Sequence, residues 1–189
     1  AQGMRSIGGA RRGLKLADVG EGDAAAHLRP TSDRVREAIF NLVINAQAYP
    51  LHGARVLDLF AGTGALGLEA ISRGAAGAVF VDDGAKALAL LKANIGKMQA
   101  EGETRVLRQN AARLPPNPAA PFPLVFLDPP YGKALGEAAL ASARAQGWLA
   151  PGALIVWEES HPPVPPEGFA LVDQRKYGDT IVTLLKAPA

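Results

Sequence analysis

Arg55-Val56-Leu57-Asp58-Leu59-Phe60 runs directly into Ala61-Gly62-Thr63-Gly64-Ala65-Leu66-Gly67, an apolar run ending in a glycine-rich turn. A short apolar run bounded by such a turn predicts a buried strand. Glycines there let the backbone turn sharply and come close to a ligand. The helix that follows runs to Arg73 and closes with Gly74 at the C′ position.

Working outward, the same alternation repeats. Ala78–Asp82 predicts a second strand, and Ala85–Met98 a helix with Leu88, Leu91, Ile95 and Met98 on one face. Thr104–Gln109 predicts a third strand, residues 115–123 a proline-rich loop, and Leu124–Asp128 a fourth strand. A helix follows over 134–146, then a fifth strand at Ala153–Glu158 and a stiff loop through Pro162, Pro163, Pro165 and Pro166. Phe169–Tyr177 and Thr180–Lys186 leave little room for a helix between them and predict an antiparallel pair. Upstream, residues 5–30 predict an extended arm or small hairpin. Thr31 or Ser32 then caps a helix with Val35, Ile39, Leu42, Val43 and Ala46 on one face, ended by Pro50 and Gly53. Strands alternating with helices give an α/β fold with a mostly parallel sheet covered on both faces.

The glycine loop matches G-x-G-x-x-G at Gly62, Gly64 and Gly67, a pattern that fits a dinucleotide or another nucleoside cofactor. S-adenosylmethionine is favoured because it has no pyrophosphate, and because Asp58 brings a carboxylate to the strand end that suits the cationic amino group of a methionine moiety. Phe60, Ala61, Gly62 and Gly64 would line that ligand. Asp82, 82 − 58 = 24 residues after Asp58, would accept from the ribose hydroxyls. Asn110, with Ala111 beside it, would meet the adenine.

Asp128-Pro129-Pro130-Tyr131 is the most informative segment, 128 − 58 = 70 residues after Asp58. Open α/β sheets bind ligands at the carboxyl ends of their strands. Two prolines fix the backbone and remove two donors, leaving carbonyl oxygens aimed in set directions. An exocyclic base amine is a poor nucleophile because its lone pair is delocalised into the ring. Acceptors on both N–H bonds, here Asp128 and the Pro129 carbonyl, would localise that lone pair. Asp128 would also stabilise the developing positive charge and take the proton. Tyr131 would stack on the extruded base, with Pro130 beside it.

Composition bounds the rest. Hydrophobic residues make up 48% of the chain and charged residues 20%, as in ordinary globular proteins. The absence of cysteine excludes disulfides and thiolate metal sites, and His27, His52 and His161 lack ligand spacing, so no metal is expected. No apolar run is long enough for a membrane span and no secretion signal is seen, so a cytoplasmic protein is expected; Ala1–Gly3 read as an addition ahead of Met4. Arg5 to Arg36 holds seven basic and four acidic residues, a net of +3 that leaves 2 − 3 = −1 for the remainder. That distribution fits a phosphate-contacting segment or a solvated arm.

Taken together, the chain resembles the bacterial RsmD-type methyltransferases over nearly its full length. The resemblance rests on Arg5-Ser6-Ile7-Gly8-Gly9, Leu28 to Glu37, Leu57 to Ala70 and Asp128 to Tyr131. It implies a Rossmann-like class I methyltransferase fold with a seven-stranded sheet. It also implies two parts, residues 1–50 as an RNA-gripping arm with a cap helix and 51–189 as the methyltransferase domain. The implied reaction is methylation of N2 of a guanine in 16S ribosomal RNA, with the small subunit or an assembly intermediate as partner and a monomer as the default state. Thr31 would touch the methionine end of the cofactor, and Arg5, Arg11, Arg12, Arg29, Arg34 and Arg36 would meet phosphates. Relatives commonly carry an acidic pair spaced by one residue after the second strand; here the sequence is Asp82-Asp83-Gly84, which leaves Asp83 without a role. The same Asp-Pro-Pro-Tyr chemistry would serve a DNA adenine-N6 or cytosine-N4 methyltransferase. A nicotinamide-dependent oxidoreductase and a non-catalytic RNA-binding assembly factor are the more distant alternatives.

Overall fold

The computed structural model describes residues 6–11, 13, 14, 16, 32–46 and 51–189. Seven strands, β1 (Arg55–Leu59), β2 (Gly77–Asp82), β3 (Thr104–Arg108), β4 (Phe122–Leu127), β5 (Leu149–Glu159), β6 (Ala170–Tyr177) and β7 (Thr180–Lys186), form one sheet in the order β3-β2-β1-β4-β5-β7-β6. The first five strands in chain order run parallel, and β7 is antiparallel to both β5 and β6. The expected mostly parallel seven-stranded sheet with an antiparallel C-terminal pair is what forms. Helices α1 (Asp33–Asn45), α2 (Ala65–Ser72), α3 (Ala85–Lys97) and α4 (Leu135–Ala145) accompany it.

Each sheet face carries its own apolar cluster. Val56, Phe80, Phe126 and Val156 alternate onto one face, where Ile39, Phe40 and Val43 of α1 and Leu68 of α2 cover them. Leu57, Val81, Val125 and Trp157 take the other face with Leu140 of α4. Residues of α1 therefore share one core with the sheet.

Two strands start well before their expected first residues, β4 at Phe122 rather than Leu124 and β5 at Leu149 rather than Ala153. β4 starts at Phe122, inside the stretch expected to be loop, because Phe122 stacks on Trp148 at 6.1 Å between centroids and its amide donates to the Trp148 carbonyl at 2.8 Å. Pro123 supplies no N–H, and the β4–β5 register shifts between Phe122 and Leu124. On α1 the cap is Ser32, whose hydroxyl accepts from the Val35 amide at 3.2 Å. Its buried residues are Arg36, Ile39, Phe40 and Val43, so a charged residue lies on the core face.

In the N-terminal arm Gly9–Arg11 form a 3-10 turn, and the Ser6 amide donates to the Leu14 carbonyl while the Gly13 amide donates to the Ser6 carbonyl. Buried Glu69 of α2 anchors the arm. The amides of Ile7 and Gly8 donate to its two carboxylate oxygens at 2.9 and 2.8 Å, and Arg73 Nε pairs with it at 2.8 Å. Gly9 lies so close to α2 that a Cβ there would meet the Ser72 carbonyl oxygen at 1.7 Å. Glu69→Ala would leave Arg73 and two amides without their acceptor, a loss of about 3–5 kcal/mol for a buried pair. In a domain of this size the unfolding midpoint is then expected to fall by about 6–20 °C, and trypsin to cut the arm faster. An unchanged midpoint with an equally resistant arm would contradict this anchoring.

Candidate active site

The carboxyl ends of the central strands gather three carboxylates. Asp58 lies level with Phe80 on β2 and Phe126 on β4. Asp82 and Asp128 stand two residues beyond those phenylalanines, on the same face and about 6–7 Å further along the strands. Asp58 is 1% exposed, and its Oδ2 accepts from the Gly67 amide at 3.0 Å. Burial holds its carboxyl well above the ordinary 3.8; the Gly67 bond opposes that, while Asp128 and Asp82 push in the same direction.

The glycine loop folds over this edge. Phe60, Gly62 and Gly64 all adopt left-handed backbone, with φ of 56°, 58° and 82°. For Phe60 that conformation costs of order 1–3 kcal/mol, and the surrounding bonds hold it in place. Ala61 donates to Val81 at 3.0 Å, and Gly64 donates back to Ala61 at 2.8 Å. Asp82 spans two loops, its Oδ2 accepting from the Gly62 amide and its Oδ1 from the Gly84 amide, each at 2.9 Å. Each of those oxygens retains a second lone pair. Gly67 serves packing instead, since a Cβ there would sit 2.4 Å from the Phe80 ring.

Asn110 follows β3 with its Oδ1 accepting from the Ala112 amide at 2.9 Å, an Asx turn, and Ala111 packs into the apolar cluster on the α4 side of the sheet. Asp83 is exposed. Asp128 is half-buried, its amide donating to the Leu59 carbonyl at 3.3 Å, so β4 and β1 stay paired up to the Asp-Pro-Pro segment. Pro129 is buried, while Pro130 and Tyr131 are half-buried. The Tyr131 hydroxyl lies 3.3 Å from Thr180 Oγ1, tying this segment to the β6–β7 hairpin.

Two acids at the end of β5 escaped the sequence reading. Glu158 and Glu159 are 4% and 1% exposed. Glu159 accepts from the Gly132 amide at 3.4 Å and the Ser160 amide at 3.3 Å, and burial pushes its carboxyl up. The signal was present: they close an apolar strand, as Asp58, Asp82 and Asp128 do.

The arginines divide. Arg34 is exposed on α1, as a phosphate contact requires. Arg36 is a correction, because its side chain is 1% exposed and pairs with Asp33, out of a phosphate's reach. Arg11 donates to the Met98 carbonyl at 2.8 Å and pairs with Glu103 at 3.1 Å, beside the amino end of β3, with its side chain 23% exposed. Arg5, Arg12, Arg29 and Thr31 lie outside the described residues. Among the described residues no helix is long and apolar enough to cross a membrane, and no group of His, Cys, Asp and Glu is arranged to hold a metal.

Asp58 has a measurable signature. A carboxyl whose folded-state pKa is raised favours folding at low pH, and that contribution is lost as pH rises through the folded pKa. Asp58→Asn is therefore expected to raise the unfolding midpoint of the free protein at pH 7 by a few degrees, roughly 2–5 °C. The gain should fade towards pH 4, as the wild-type carboxyl itself becomes neutral. Thermal unfolding from pH 4 to 8 measures this; a variant less stable than wild type at every pH would contradict it.

Comparison with known proteins places the chain among described relatives. The family described as conserved hypothetical protein 95 matches residues 4–186. Ribosomal RNA small subunit methyltransferase D of Escherichia coli K12 is 39% identical over 98% of this chain and 91% of its own. The protein of the same name from Haemophilus influenzae is 35% identical over 93% of this chain and 89% of its own. The solved structure of yhhF from Escherichia coli superposes with a TM-score of 0.81 at 34% identity, covering 100% of this chain and 99% of that one.

Proposed function

Because the chain belongs to the conserved hypothetical protein 95 family, that of the RsmD-type ribosomal RNA methyltransferases, we propose that it methylates N2 of a guanine in 16S ribosomal RNA. The methyl donor in this reading is S-adenosylmethionine, and the substrate is the small subunit or its assembly intermediate in the cytoplasm. One observation carries the reading: Asp128-Pro129 ends the central strand β4 beside the edge where Asp58 and Asp82 meet the glycine loop.

The residues at that edge fit the donor. Three neighbouring carboxylates favour a ligand bearing sulfonium and ammonium charges and disfavour the pyrophosphate of a dinucleotide. Asp82 has lone pairs for two ribose hydroxyls, and Asn110 can meet the adenine. Bound there, S-adenosylmethionine supplies an electrophilic methyl group on a sulfonium. The protein's part is to prepare the amine. Asp128 and the Pro129 carbonyl accept from the two N2–H bonds, which draws the nitrogen lone pair out of conjugation. Tyr131, held at its hydroxyl by Thr180, stacks on the extruded guanine. Positive charge that grows on the nitrogen is stabilised by the Asp128 carboxylate, which then takes the proton.

The test is transfer of labelled methyl from S-adenosylmethionine to small subunits lacking the modification, with duplex DNA alongside. Label is expected in the 16S RNA of the particles. Label in DNA would support the DNA methyltransferase reading, and label in neither would overturn the proposal.

A further inference from the structure

Tyr131 and Gly132, which follow the two prolines, are held by groups at the ends of neighbouring strands. Glu159 closes β5 and pairs with Ile181, one residue after Thr180 opens β7. Its Oε1 accepts from the Gly132 amide at 3.4 Å and from the Ser160 amide at 3.3 Å. Thr180 Oγ1 lies 3.3 Å from the Tyr131 hydroxyl.

These two holds come from opposite faces of the sheet, because side chains alternate along a strand. Glu159, two residues beyond Trp157, falls on the α4 face. Thr180, two residues before Val182, falls on the α1 face. The segment that leaves β4 is therefore tied by its ring on one side and by its backbone on the other. Gly132 has a φ of 76°, a left-handed turn placed directly after the ring.

Burial makes the carboxylate informative. Glu159 is 1% exposed, and burying a carboxylate costs free energy that an apolar side chain at the same strand end would not. Gly132 and Ser160 lie at the surface, where water can satisfy their amides. Glu159 is thus not needed to rescue stranded donors. What it adds is a fixed position for the turn that follows Tyr131.

We propose that Glu159 is a positioning residue: through the Gly132 amide it sets that turn and, together with Thr180, holds the Tyr131 ring where it stacks on the extruded guanine. This inference rests on the proposed methyltransferase reading for the role of Tyr131. The hold on Gly132 can be tested without it.

The experiment compares Glu159→Leu with Glu159→Gln in the full chain, each also combined with Tyr131→Ala, and adds Thr180→Val. Glutamine keeps an oxygen that can accept from the Gly132 amide; leucine keeps the bulk and removes the acceptor. In the free protein, amide exchange at Gly132 followed by NMR should quicken about fivefold or more with leucine and stay within about twofold with glutamine. Single-turnover methyl transfer to small subunits should slow about tenfold with leucine and stay within about threefold with glutamine. Affinities for S-adenosylmethionine and for small subunits should stay within about threefold in both. In the Tyr131→Ala background the leucine change should cost less than about twofold more, because there is no ring left to position. Thr180→Val, which removes the other hold, should slow transfer about fivefold with the Gly132 amide unchanged.

Wild-type exchange at Gly132 in Glu159→Leu would overturn the hold. A glutamine variant as slow as the leucine variant would overturn positioning, since the charge itself would then be what matters. A full tenfold loss on top of Tyr131→Ala would show that Glu159 does not act through the ring. Failure of the wild-type protein to methylate any RNA would count against the proposed function, and the exchange comparison would still decide the hold.

Discussion

Asp128→Ala is expected to slow single-turnover methyl transfer about a thousandfold or more while leaving the affinity for S-adenosylmethionine within about threefold. Removing a group that stabilises developing charge typically costs about 100- to 1000-fold. Loss of the proton acceptor adds a factor of its own, although the two are not additive when one side chain provides both. The fold should tolerate the change, because the backbone bond from the residue-128 amide to Leu59 survives and the side chain is only half-buried. A rapid-quench measurement at saturating cofactor isolates the chemical step. A rate within about fivefold of wild type would remove Asp128 from the chemistry.

Asp82→Ala should have the complementary effect. Its carboxylate is the proposed acceptor for two ribose hydroxyls, and hydrogen bonds to a charged group contribute about 1.5–3 kcal/mol each. It also holds the Gly62 and Gly84 amides, so its loss loosens the loop that lines the cofactor. Calorimetry should show affinity for S-adenosylmethionine weakened about 100-fold or more. At saturating cofactor the transfer rate should stay within about fivefold, because Asp82 does not touch the accepting amine. A variant with normal affinity and a lost rate would reverse the roles given to Asp82 and Asp128.

The sheet was legible in the sequence wherever a strand is buried on both faces. Arg55–Leu59 and Ala78–Asp82 are short, mostly apolar runs, each followed closely by glycine, and read as strands. β4 was harder, because Pro123 disguises a strand whose first residue is held by aromatic stacking on Trp148, a contact made only in the folded chain. The candidate site was legible to the extent that acids closing apolar strands announce themselves, which picked out Asp58, Asp82 and Asp128. Glu158 and Glu159 carry the same signal and were passed over for lack of an adjoining motif.

Charge misled the reading of Arg36. Arg36, Phe40 and Val43 fall at i, i+4 and i+7 on the face that packs against the sheet, so spacing marked Arg36 for burial while its charge suggested RNA. Glu69 was invisible for another reason. Its partners are the amides of Ile7 and Gly8, some sixty residues earlier, and a backbone donor leaves no trace in residue type.

The most direct test of the central claim is the chemical identity of the product. Small subunits lacking the modification are incubated with the protein and S-adenosylmethionine, their 16S RNA is digested to nucleosides, and the digest is resolved by mass spectrometry. The proposal requires N2-methylguanosine, at one methyl per particle and absent with Asp128→Ala. A methyl group on adenine, on cytosine or on a ring nitrogen, or N2-methylguanosine formed equally well by Asp128→Ala, would contradict it.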